Sequence, residues 1–63
     1  MAKYQVTLYC EVAKTYEVES EDADKALEQA YKMDNDVPIS EYSYIGGSGY
    51  CVQDEKGNIE IEE

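Results

Sequence analysis

The stretch V-E-S-E-D-A-D-K-A-L-E-Q-A-Y, residues 18–31, joins the end of a strand to a short amphipathic helix. Ala23, Ala26, Leu27, Ala30 and Tyr31 recur at the i, i+3, i+4, i+7, i+8 spacing of one helical face. Leu27 is expected at the centre of the helix–sheet contact. Asp22 is the expected N-cap in preference to Ser20, whose position continues the alternation of the preceding strand. Asp24 in the first turn and Lys32 in the last complement the helix dipole, and Glu28 and Lys32 are ordered for an i,i+4 pair. The helix should end near Met33, because Asp34-Asn35-Asp36 are poor helix formers and Pro38 disfavours helix at Val37.

Upstream, Lys3 to Val12 alternates. Tyr4, Val6, Leu8, Cys10 and Val12 face one way, and Gln5, Thr7, Tyr9 and Glu11 the other. The reversal is expected at Ala13-Lys14, which carry no Asn-Gly turn signal. Thr15 to Ser20 then resumes the pattern, with Tyr16, Val18 and Ser20 inward. Downstream, Val37 to Ile39 is expected to tuck under the sheet edge. Glu41 to Ile45 reads as strand, interrupted by Gly46-Gly47-Ser48-Gly49, and Tyr50 to Gln53 is strand again. Three glycines in four residues mean a bulge, a flexible bend or a place where another backbone approaches closely. Asp54 to Asn58 is a hairpin turn with Gly57 at a positive-φ position, leading to a last strand with Ile59 and Ile61 inward. The expectation is one α+β domain over residues 1–63. It is a ββαββ two-layer fold with a four-stranded, mostly antiparallel sheet in the order 2-1-3-4 and one helix on one face.

V-E-S-E-D-A-D-K-A-L-E-Q-A resembles the strand-to-helix joint of the small DpnD/PcfM-like proteins of phages and mobile elements. Those run valine, any residue, alanine, two polar residues, then acidic residues, alanine-leucine and a further alanine. Ser20 stands where such joints often have alanine. The resemblance covers the first hairpin and the helix, about half of the chain. It implies a context, a small accessory protein of a phage or mobile element, and carries no functional residues over.

Sixty-three residues bury only roughly 60% of the surface their unfolded chain exposes, so a second copy or another partner could supply missing burial. Fifteen acidic residues against five lysines, with no arginine or histidine, give a net charge of −10. Such a surface repels nucleic acid and anionic membranes and favours a protein partner with a basic surface. Solubility alone is the plainer explanation of that acidity. The N-terminus has no apolar signal-peptide region, and no run is long enough to span a membrane, so a cytoplasmic protein is expected. Cys10 and Cys51 form no C-x-x-C pair and, without histidine, no zinc site. Buried free thiols are expected, with a facing pair that could oxidise as the alternative.

No nucleophile motif, calcium loop or phosphate-binding loop is present, so neither catalysis nor a cofactor is expected. Asp34-x-Asp36 and Asp54-Glu55 lack the ligand alternation of a calcium loop, and the glycine segment lacks the following Lys-Ser/Thr. Two features point to binding. Seven tyrosines with no Phe or Trp suit surfaces that are exposed until a complex forms. Tyr4, Tyr16 and Tyr31 are assigned to the core, and Tyr9, Tyr42, Tyr44 and Tyr50 to an interface. The second feature is the outward sheet face, with Thr7, Tyr9, Glu11, Glu17, Glu19, Glu60 and Glu62. Alternate strand residues lie about 6.7 Å apart, so its carboxylates are expected to form a rigid array. One function reading is a phage-encoded inhibitor that mimics nucleic-acid charge against a host or defence protein. The other is a structural or accessory homo-oligomer whose acidity serves solubility. In either case self-association as a homodimer is expected.

Overall fold

β1 (Ala2–Cys10) and β2 (Val12–Ser20) form an antiparallel hairpin in register from Ala2 opposite Ser20 to Cys10 opposite Val12. In the computed structural model, which describes residues 2–33 and 37–63, this hairpin is the middle of the sheet. Helix α1 (Ala23–Lys32) follows, then β3 (Ser40–Ser43), β4 (Gly49–Asp54) and β5 (Ile59–Glu62). The sheet order is β3-β2-β1-β4-β5, and every neighbouring pair is antiparallel. Among the described residues the fold is therefore α+β with one helix and five strands rather than four. The residues on either side of Gly46–Gly49 are two strands on opposite sides of the central hairpin. β3 lies outside β2, and β4 fills the place beside β1.

The turn between β1 and β2 falls two residues earlier than Ala13-Lys14. Glu11 reverses the chain at φ 40°, the left-handed region, with Cys10 and Val12 already paired. Cys10 is consequently exposed at the tip, while Cys51 is buried, and both are free thiols. Alternation holds elsewhere in the hairpin: Tyr4, Val6, Tyr16, Val18 and Ser20 are all buried.

Asp22 caps α1 as the sequence predicts, its Oδ1 accepting the Lys25 N–H at 2.8 Å. At the other end the Met33 N–H donates to the Ala30 carbonyl at 3.0 Å. The helix approaches the sheet through Ala26 and Ala30, both fully buried, because alanine lets its backbone come close. They join Val6, Tyr16, Val18 and Val52 in the core. Leu27 flanks this contact as a partly buried residue instead of centring it. Tyr31 follows Ala30 and so lies about 100° further round the helix. It is 54% exposed and outside the core to which the sequence assigns it. Among the described residues the ion pair on α1 is Lys25 with Glu21 at 2.8 Å, and Glu28 and Lys32 make none. Asp34-Asn35-Asp36, on which the reading of the helix end and of Asp34-x-Asp36 also rests, lie outside the described residues.

Val37 and Ile39 do not tuck under the sheet: both are exposed, as is Ile45. β3 meets β2 over only four paired positions and supplies no cover for them. In the β4–β5 hairpin the Asp54 carboxylate accepts the Lys56 and Asn58 N–H groups, each at 2.9 Å, and the Asn58 amide at 3.1 Å. These bonds, those from Asn58 foremost, hold the Asp54 carboxyl below the usual carboxylate range. Gly57 takes the positive φ of 87° that the turn requires. A register shift between Val52 and Gln53 then turns Ile59 away from the core. Ile61 packs against the core, but Ile59 pairs with Gln53 and is 54% exposed.

Candidate interaction face

One helix covers one face of the sheet, and the strand registers specify what lies on the other. Directly opposed residues of an antiparallel pair point to the same side. The uncovered face is therefore built of cross-strand rows. Tyr42, Ala13, Tyr9 and Gly49 form one row across β3-β2-β1-β4. Ser40, Thr15, Thr7, Cys51 and Glu62 form the next, crossing all five strands. Glu17, Gln5, Gln53 and Ile59 form a third, and Glu19 stands opposite Lys3 beyond it.

The first row makes an aromatic centre. Ala13 is fully buried although no helix lies over it, and its small side chain leaves room for the rings beside it. Tyr44 joins from the chain after β3. Its N–H donates to the Glu11 carbonyl at 2.9 Å, tying that segment to the tip of the central hairpin. Its ring stands 4.6 Å from that of Tyr9 at an interplanar angle of 43°, a tilted aromatic pair. The Tyr44 ring folds back over Gly46. A Cβ on that residue would come within 2.8 Å of the phenol oxygen. Below the rings, the Thr7 and Thr15 hydroxyls share a hydrogen bond at 2.9 Å. Burial pushes the Tyr9 phenol up, reinforced by Tyr42, Cys51, Tyr44 and Glu62 around it. Cys51 is raised by burial and then by Glu62.

The sequence-predicted site residues divide accordingly. Tyr9, Tyr42 and Tyr44 come together, with Glu62 one row away and Glu11 supplying its backbone carbonyl. Tyr50 does not join them. It sits opposite Leu8 on the helix side, and its hydroxyl donates to Glu63 Oε2 at 2.8 Å. That bond, and then the charge behind it, raises the Tyr50 phenol. The carboxylates do not form a single array. Glu17 and Glu19 lie on β2 and Glu62 on β5, three strand spacings or about 14 Å across the sheet and one or two cross-strand rows apart along it. Gln5 and Gln53 lie between them, and Lys3 faces Glu19. Glu60 is exposed at the register shift of β5. The face thus has an aromatic cluster at one end, with Glu62 one row away and Glu17 and Glu19 two and three rows away.

Ala13, Gly46 and Gly49 shape this face without signalling it as functional residues. Strand glycine as a sign of close backbone approach is the one hint the sequence contains. At Gly49 it applies: a Cβ there would collide with the Glu63 carbonyl oxygen. Among the described residues no group of three or more His, Cys, Asp or Glu side chains could hold a metal ion. Nor is any described helix long and apolar enough to cross a membrane. No protein-family model, no curated protein and no solved structure matches this chain.

Proposed function

We propose that this chain is a small acidic interaction protein, without catalytic activity of its own, that occupies the nucleic-acid-binding surface of a basic protein partner. The observation that carries the reading is the uncovered sheet face. Its tyrosine cluster is flanked by carboxylates, on a chain of net charge −10. Interfaces concentrate binding energy in aromatic residues at the centre and place polar groups at the rim. Here the rim is acidic, which selects a basic partner and speeds encounter with it. Strand β2, which carries Glu17 and Glu19, and strand β5, which carries Glu60 and Glu62, lie about 14 Å apart across the sheet. Direct binding to nucleic acid or to an anionic membrane is opposed by the same charge. A phage or mobile-element inhibitor of a host or defence protein fits this chemistry, and it is the context that the strand-to-helix joint implies.

The test is capture from host lysate on the immobilised protein, with washes of rising ionic strength and identification of what elutes. A nucleic-acid-binding protein released steeply with salt supports the reading. Retention of only acidic or salt-insensitive proteins contradicts it.

A second reading, self-association, is favoured by the exposed Ile39, Tyr42 and Ile45 around the short edge strand β3. Joining β3 edges would cover them and extend the sheet, but it would bring two chains of −10 together. Sedimentation should therefore show a dimer strengthened by salt. A strict monomer at high micromolar concentration in both low and high salt would remove this reading.

A further inference from the structure

Gly49 leaves a gap in the tyrosine row. On one side of it stands Tyr9, and Tyr44 leans over from the β3 end. On the other side the chain end brings Glu62 and Glu63 alongside β4, held by Tyr50 N–H to the Glu63 carbonyl at 3.1 Å and the reciprocal bond at 2.9 Å. The result is a cleft of about 460 Å³ lined by Tyr9 and Tyr44, by Gly49 and Cys51, and on the far side by Glu62 and the Glu63 backbone. No lysine lines it. The lysine ion pairs lie elsewhere, Lys14 with Glu41 and Lys25 with Glu21, and among the described residues Glu62 makes no ion pair.

We infer that this cleft is an anchor site for an arginine side chain of the protein partner. The inference rests on the reading of the chain as a binder of basic surfaces and names the contact at its centre. A guanidinium is planar and weakly hydrated. It stacks on tyrosine faces and offers paired N–H donors to a carboxylate, whereas a lysine ammonium is a compact, strongly hydrated point charge. Tilted rings on one wall and the Glu62 carboxylate on the other offer both interactions to one group. Gly46 and Gly49 make the arrangement possible. The first lets the Tyr44 ring fold back, and the second keeps the cleft free of a side chain and admits the Glu63 backbone.

The experiment is an NMR titration of the isotope-labelled protein with hexa-arginine and, separately, hexa-lysine peptide. Shifts should concentrate at Tyr9, Tyr44, Gly49, Cys51 and Glu62, with hexa-arginine binding roughly fivefold or more tightly than hexa-lysine. Tyr44→Ala should remove the preference for arginine, and Glu62→Gln should weaken both peptides. Tyr44 lies outside the strands and Glu62 is exposed, so both variants keep the fold. Glu28→Gln, exposed on α1 on the other side of the sheet, should leave the preference intact. Equal affinity for the two peptides, with shifts spread over carboxylates around the molecule, overturns the anchor site and leaves the broader reading standing. If neither peptide binds at low salt, both are overturned.

Discussion

At Gly49 a single hydrogen in place of a methyl group decides whether β4 and the chain end can meet. Gly49→Ala would push its Cβ into the Glu63 carbonyl and part the two backbone bonds between Tyr50 and Glu63. We expect a loss of about 1–3 kcal/mol in urea denaturation, the range for forced overpacking. An unchanged midpoint would show that the chain end does not pack there. Titration gives a second residue-scale prediction. The Cys51 thiol and Tyr9 phenol are both raised above their ordinary values of 9.0 and 10.0, in each case chiefly by burial. The folded state therefore favours their neutral forms. The stability they contribute is complete below those ordinary values and is lost as pH rises through the folded ones. The melting temperature should fall on the alkaline side of pH 9, and Cys51→Ala should move the onset upward. A melting temperature that stays level through the phenol range would contradict the burial of these groups.

At the scale of elements, α1 is held to the sheet by two alanines. Ala26→Leu would add three carbons where the side chain is fully buried, and should cost about 1–3 kcal/mol. Thermal or urea denaturation reads it directly, and a neutral or stabilising effect would mean that the helix stands further from the sheet. The cap at Asp22, the Ala26 and Ala30 positions of the helix face and the inward Tyr4, Val6, Tyr16, Val18 and Ser20 are legible in the sequence because each depends on local periodicity. Tyr31 and Cys10, by contrast, are exposed against expectation. Three features are not legible. The turn at Glu11 uses a non-glycine residue at positive φ, so no turn signal marks it. Ile59 is turned outward by a register shift that alternation alone cannot reveal. The glycine segment reads as an interruption within one strand, yet it carries the chain from the outer side of β2 to the free side of β1. Strand alternation specifies faces, not neighbours, and so leaves that crossing open.

At the scale of the molecule, a globule of 32 × 22 × 17 Å carries fifteen acidic groups, and one side of its sheet has no helix over it. The tyrosines of the interface were readable from composition and strand parity, apart from Tyr50, whose parity places it on the helix side. Their clustering was not, because Tyr42 and Tyr44 reach Tyr9 only once β3 lies outside β2 and the Glu11 carbonyl holds Tyr44. The central claim is that this face competes with nucleic acid for a basic partner. The most direct measurement is displacement of labelled nucleic acid from the purified partner by wild-type protein and by a variant carrying Glu17→Lys, Glu19→Lys, Glu60→Lys and Glu62→Lys. All four residues are exposed, so circular dichroism should show the variant folded. The account predicts displacement by the wild type, weakening steeply with salt, and none by the variant. Equal displacement by a folded variant would contradict it.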